Sequence, residues 1–395
     1  MRKAKSKVNR RIVKLLVSAA LILSVLALQS AVFAADSTTA DTTIVCYGAK
    51  SVSMGRASTA LSLGTASIFS NPAGTVTDTQ WGITSMSTQL LHRVSYQMLA
   101  GTYNYGNATY GLGYVSASTP AGYYTTDSGS LASAQPISYG DTTLAMSCGY
   151  KVNDQFNNPR SIGDLTVGAT LKLVNKGFAG TGVDGYSGSG YATDFGVILE
   201  NNDGLALGAT LTNILSSVSW ASGYSEGLPA AFKFGGAKTL LEDKLTISAD
   251  TDVSLSSYPL TMHIGAEYKP ISIISVRAGF DQAASTTGDN AGTTSTNLTA
   301  GIGINYKGVS FDYAYRQDST LEDNMTHYFS ISYSPEVEET TVVKKPAEDK
   351  AVAELAEISG DAKDLSEPAK VAAKEPAKVA SEIDSDLAEL MELDR

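Results

Sequence analysis

The chain has 395 residues, with 29 Lys and Arg against 40 Asp and Glu and a formal net charge of −11. No basic patch stands out, which argues against a nucleic-acid partner. With 36 Gly, 20 Tyr and only 17% charged residues, the composition is that of a strand-and-turn protein, either one barrel or two soluble sandwiches.

Residues 1–34 read as a secretory signal. Arg2, Lys3, Lys5, Lys7, Arg10, Arg11 and Lys14 precede an apolar run, Leu15 to Leu28, and Val32-Phe33-Ala34 offers a small-residue cleavage site. The run is too short to span a bilayer as a helix. Of the two cysteines, Cys46 lacks a lipidation-like context, and strand alternation turns Cys148 outward, so no disulfide is expected.

Residues 35–78 read as an N-terminal plug. The stretch Gly48 to Gly74 is small and nearly uncharged. Ala57, Ala60, Leu61, Gly64 and Ile68 recur at three- and four-residue spacing, which predicts one short helix with a narrow apolar face. So little apolar area cannot stand alone in water, although an ordinary surface helix would show the same spacing. Asn71-Pro72 ends any helix, because the residue before a proline is pushed out of the αR region.

From 79 to 335 the pattern changes to period two. Fourteen candidate strands begin near 81, 94, 108, 139, 163, 190, 204, 228, 243, 260, 272, 296, 308 and 326. In 165–173, for example, Leu165, Val167, Ala169, Leu171 and Leu173 share one face, with Thr166, Gly168, Thr170 and Lys172 on the other. Runs of this length fit membrane-crossing strands better than sandwich strands. Even-numbered joins are short, as at Gly106-Asn107, Pro270-Ile271 and Lys307-Gly308, whereas odd-numbered joins such as Thr119 to Ser138 are long. That asymmetry is expected of an all-β, antiparallel transmembrane barrel of about 14 strands in an outer membrane, with both termini periplasmic. Two joins break the rule: His92-Arg93 is short, and Asn153 to Ile162 is long.

If the apolar faces meet lipid, the opposite faces present Lys172, Asp194, Lys233, Asp252 and a cluster of Asp250, His263, Glu267, Arg277, Asp312 and Arg316. The cluster is either a solute path or an electrostatic seat for the plug, and it fits a satisfied ion-pair network filling a narrow lumen at least as well. No catalytic or metal-type spacing is present, and no cofactor is implied. His263 with Glu267 is the most plausible base and orienter that inward chance could assemble, and Asp250-Thr251-Asp252 lacks the turn that a cation loop needs. Residues 336–395 form an acidic tail rich in Ala, Glu, Lys and Pro, without aromatics, expected to be disordered or partly helical at 348–358 and 380–392. It could dock on a periplasmic partner or serve as a solvated spacer.

Eight motifs in order resemble the PorV/PorQ-type outer-membrane proteins of the FadL superfamily. They include G-A-K-S-V-S-M-G at 48–55, S-I-F-S-N-P-A-G at 67–74, L-P-A-A-F-K-F-G at 228–235, H-I-G-A-E-Y at 263–268, V-R-A-G-F at 276–280 and F-D-Y-A-Y at 311–315. The resemblance implies a fourteen-stranded barrel with an N-terminal hatch, whose Asn-Pro-Ala motif falls on Asn71, Pro72 and Ala73, followed by Gly74. It also implies a non-enzymatic role. PorV-like members serve type IX secretion, which would give this chain a secretion-system partner; FadL-like members take up hydrophobic solutes such as long-chain fatty acids. The first is the leading expectation and the second the alternative.

Overall fold

A computed structural model describes residues 41–335, apart from 46, 91–92, 120–121, 123–136, 153–162, 181–185, 202, 256–258, 285–292 and 319–324. The signal, the tail, Cys46, His92 and most of the long joins therefore lie outside the described residues.

Fourteen strands build the wall. They are β1 Trp81–Leu90, β2 Val94–Tyr105, β3 Ala108–Ser118, β4 Ser138–Lys151, β5 Asp164–Ala179, β6 Ser187–Glu200 and β7 Leu205–Trp220, then β9 Ala231–Leu240, β10 Leu245–Ser254, β11 Thr261–Ile271, β12 Ile274–Ala284, β13 Thr294–Tyr306, β14 Val309–Gln317 and β15 Met325–Tyr333. A two-residue strand, β8 at Ser225–Glu226, pairs only with β7. Neighbours are antiparallel throughout, and β1 pairs with β15, so the sheet closes on itself. Closure removes the edges that an open sheet would expose.

Alternation decides which face meets what. Along β1 every second residue from Gly82 to Thr88 is buried, and the residues between are exposed. The outward set on the other strands is apolar, with Leu112 at 56% and Ile331 at 57% exposure, and Leu171, Ile247, Ile264 and Phe280 also exposed. Such a continuous apolar mantle is stable against hydrocarbon and not against water. Cys148 is free and lies on that exposed face.

Short turns take their expected chemistry. Lys307 and Gly308 both hold positive φ, at 50° and 79°, the geometry that lets a two-residue turn match the strand twist. All fourteen strands begin within three residues of their sequence positions, at or beside the turn signals. The three-residue displacement of β9 has a structural reason: Leu228 to Ala230 leave the sheet, and Leu228 is buried.

The plug departs from expectation. In place of one helix over 57–68, the chain forms short helices at Gly48–Ser53 and Ser67–Ser70, with a single turn at Gly64–Ala66 leading into the second and another at Pro72–Thr75 following it. Gly55 and Arg56, both with φ of 63°, reverse the chain between them. A long helix is unnecessary here because wall side chains satisfy the hatch backbone. Ser330 Oγ accepts from Ala49 N at 2.9 Å, Thr299 Oγ1 from Gly55 N at 3.0 Å and Asp250 Oδ2 from Thr59 N at 2.7 Å.

Candidate functional site

The lumen is filled by residues 41–78, and the wall makes room for them by omitting side chains. Gly149, Gly168 and Gly196 are direct cross-strand neighbours on β4, β5 and β6. Against them lie Thr75, Pro72 with Ala73, and Asn71, so that a Cβ at any of the three would collide with the hatch. Gly208 with Gly235 seats Thr59 and Ala60, and Gly265 with Gly279 seats Met54 and Gly55. Gly113 lies against the Phe69 ring. At Gly168, Gly208, Gly265 and Gly279 backbone meets backbone, and at the others a hatch side chain fills the space, an approach that any larger residue forbids.

The Asn-Pro-Ala-Gly stretch closes the hatch on itself. Asn71 takes φ −142° and ψ 107°, and its side chain accepts from Ala73 N at 3.1 Å. Its amide donates to Thr59 O at 2.7 Å and to Val197 O on the wall at 3.3 Å. Gly74 packs against Ser67 and the Leu61 carbonyl, leaving no space for a side chain.

The six clustered charges do not make one site. Arg277 donates to Glu267 at 2.5 Å and to Asp312 at 2.6 Å, and Lys50 of the hatch stands 3.6 Å from Glu267. A second group is built around Asp281, which accepts from Arg316 Nε at 2.6 Å and from Arg56 Nε at 2.8 Å and lies 3.1 Å from His263 Nδ1. The same His263 nitrogen reaches Gly55 O at 3.1 Å. Asp250 belongs to neither group; Thr59 N holds one oxygen and the other is buried without a hydrogen-bond partner. His263 and Glu267, weighed as base and orienter, thus take different partners.

Three further ties were not anticipated as hatch contacts. Lys233 joins Asp252 at 2.8 Å and Tyr47 Oη at 2.8 Å. Lys176 pairs with Asp141, which accepts from Thr42 Oγ1 at 3.3 Å. Lys172 pairs with Asp194 at 2.9 Å and with Asp41 at 3.7 Å. Burial works against ionisation of Asp41, yet Lys172, with hydrogen bonds from Thr43 and Asn213, holds its carboxyl below the ordinary carboxylate range.

The wall is interrupted at one place beside that last group. The β7–β9 ladder runs from Leu205–Lys238 only as far as Thr212–Ala231. Beyond it, β7 slips register against β6 twice, and Asn213 and Leu215 hold positive φ of 56° and 52°. Such bulges re-aim side chains. Across the interruption the chain before β9 folds inward, and Leu228 enters a buried apolar niche of Val174, Ala192 and Val218, with Trp220 packed against it. Side chains replace the missing ladder: Asn213 donates to Pro229 O at 2.9 Å, while Ser216 Oγ accepts from Leu228 N at 3.0 Å and donates to Leu228 O at 3.3 Å.

On the short-turn side of the hatch lie three cavities of about 700, 240 and 190 Å³, lined largely by Ser, Thr, Asn and charged residues, among them Asn104, Thr109, Glu200, Ser330 and Thr246. The lumen therefore has a polar mouth at its short-turn end and an apolar niche farther along, on the other side of the hatch.

No protein-family model matches the chain, and no curated protein does. Solved structures do. The Pseudomonas putida toluene transporter TodX shares 18% identity over 73% of this chain and 97% of its own, with a TM-score of 0.51. A TodX monoaromatic hydrocarbon channel mutant, deltaS2S3, shares 16% identity over 74% and 99%, also at 0.51. The likeness is one of fold. At this identity it says that a closed barrel with this strand arrangement recurs, and the lumen has to be read from its own residues.

Proposed function

We propose that this chain is a FadL-like outer-membrane channel for small hydrophobic solutes, non-enzymatic and stoppered by its own N-terminal hatch. The observation that carries the reading is the interrupted β7–β9 wall backed by an apolar niche. An apolar solute gains little from the polar cavities at the short-turn mouth, whereas the niche, filled here by Leu228, lies beside the interruption, where a path from the lumen to the hydrocarbon side would run once Leu228 moved out. The shared fold with proteins described as a toluene transporter and as monoaromatic hydrocarbon channels supports the same choice. In this reading the short turns and both termini face the periplasm, and the partners are outer-membrane lipid and a hydrophobic ligand.

The PorV/PorQ-type secretion role rests on the motif resemblance alone, and its proposed tail-borne partner falls outside the described residues. One experiment separates the two. Purified mature chain in proteoliposomes is expected to speed uptake of toluene over empty vesicles while leaving glucose uptake at background. Equal toluene uptake with and without protein overturns the channel reading. Loss of protein export with hydrocarbon uptake unchanged, on deletion in the native cell, points instead to secretion.

A further inference from the structure

We infer that Asn213 is a latch that couples the leading arm of the hatch to the β7–β9 interruption, so that release of the arm opens the wall. This rests on the channel reading above and adds the element that regulates it. Within the described residues, Asn213 ties together the arm and both sides of the break. Its Nδ2 donates to Asp41 of the arm at 2.7 Å and to Pro229 O, across the break, at 2.9 Å. Its Oδ1 accepts from Lys172 Nζ at 2.8 Å, and its backbone N donates to Asp194 at 2.7 Å.

The left-handed backbone makes the latch possible. Strand parity would send residue 213 outward beside Leu211; the bulges turn it in, where it is 2% exposed. Asn tolerates that conformation because its short side chain bonds locally, and Gly tolerates it without any side chain. The segment Gly227–Pro229 then serves as a strap. Its leading end continues β8, anchored to β7 by the Val218–Glu226 and Ser219–Ser225 pairs, and from Leu228 onward what holds it closed is Asn213, Ser216 and the Leu228 side chain in its niche. Moving Asp41 away takes with it one of the two acceptors of the Asn213 amide and leaves Lys172 and Asp194 to rearrange. Closure of the strap and seating of the arm are therefore one equilibrium with two ends.

The test is a double-mutant cycle on toluene uptake in proteoliposomes, using N213G, which keeps the backbone conformation, together with D41A and the pair. Correct assembly is checked by the boiled-versus-unboiled gel shift, and a distant inward variant, S248A, serves as the additivity control. Each single variant is expected to raise uptake by about tenfold, the loss of a charge-assisted hydrogen bond shifting the closed state by that order, and the pair to rise no further than either alone. Additive effects of N213G and D41A, or unchanged uptake in both, overturn the latch while leaving the channel reading intact. Absence of uptake by the unmodified protein overturns the channel reading itself. Should N213G fail the gel-shift check, D41A with S216A supplies the same cycle through the strap's second tie.

Discussion

The hatch is attached in two different ways. From Met54 to Thr75 it lies directly on wall glycines, with its backbone against Gly265, Gly279, Gly208 and Gly168 and the short side chains of Thr59, Thr75 and Asn71 against Gly235, Gly149 and Gly196. From Asp41 to Tyr47 the contacts are side chains: Lys172, Lys233, Asn213 and Asp141, the last paired with Lys176 of the wall, reach in to meet Asp41, Tyr47 and Thr42. A backbone seat has a single fit and no intermediate position, because interiors packed at this density do not deform smoothly. Side-chain ties can be broken one at a time. The body of the hatch is thus built to stay and the arm to let go, and each prediction below strikes one side of that contrast.

The largest effect is expected at a seat. A Gly265→Val side chain would run into the Met54 carbonyl, a backbone group that cannot swing aside. Overpacking of this kind costs about 1–3 kcal/mol where neighbours can give way, and against a backbone that cannot it should exceed the roughly 3–5 kcal/mol of a broken buried ion pair. Gly265→Val should lower the temperature of the heat-dependent gel shift and raise single-channel conductance in a planar bilayer; closed, wild-type-like traces would show that the hatch body is mobile after all. Next comes Arg277→Ala, which leaves Glu267 and Asp312 buried without their shared cation, at about 3–5 kcal/mol. Small-solute leakage should rise, and unchanged conductance would mean that this group braces the wall and not the hatch. Arg56→Ala is expected to do less, about 1.5–3 kcal/mol, because Arg316 still neutralises Asp281 and Arg56 is itself partly exposed. Thermal unfolding in detergent would rank the two, and a larger loss for Arg56→Ala would reverse the assignment.

How much of this was legible follows from what each feature depends on. Strands could be read because period two and turn residues are local, and Lys172, Asp194, Asp250 and Arg277 point inward as parity requires. Parity also puts Asp281 on the inner face with Arg277 and Gly279, so the hub of the second charge group was available from the same rule and was missed. The path of the hatch was not available. Its helix spacing was a false lead, since Ala57, Ala60 and Ile68 face different parts of a surrounding wall and not one side of a helix. The wall glycines look like weak strand positions until the hatch is laid against them. Asn213 was illegible for the opposite reason: two bulges reverse the parity by which every neighbouring residue was read.

The smallest expected effect is on pH, and it tests the arm specifically. In the folded chain Asp41 is held below its ordinary value of 3.8, because Lys172 and the bonds from Thr43 and Asn213 outweigh the burial that would raise it. A carboxyl with a depressed folded value binds fewer protons folded than unfolded at mildly acidic pH. Its contribution is therefore complete at neutral pH, persists as pH falls to the unfolded value, and is lost only below it, as the folded form itself takes up a proton. Toluene uptake through the intact protein should accordingly stay flat from about pH 8 to pH 5 and climb only under stronger acid. In D41A that late climb should vanish, since the group that titrates is gone. A rise already under way near pH 6 in the intact protein, persisting in D41A, would place the sensitive group outside the arm, and would make the seated part and not the arm the element that yields.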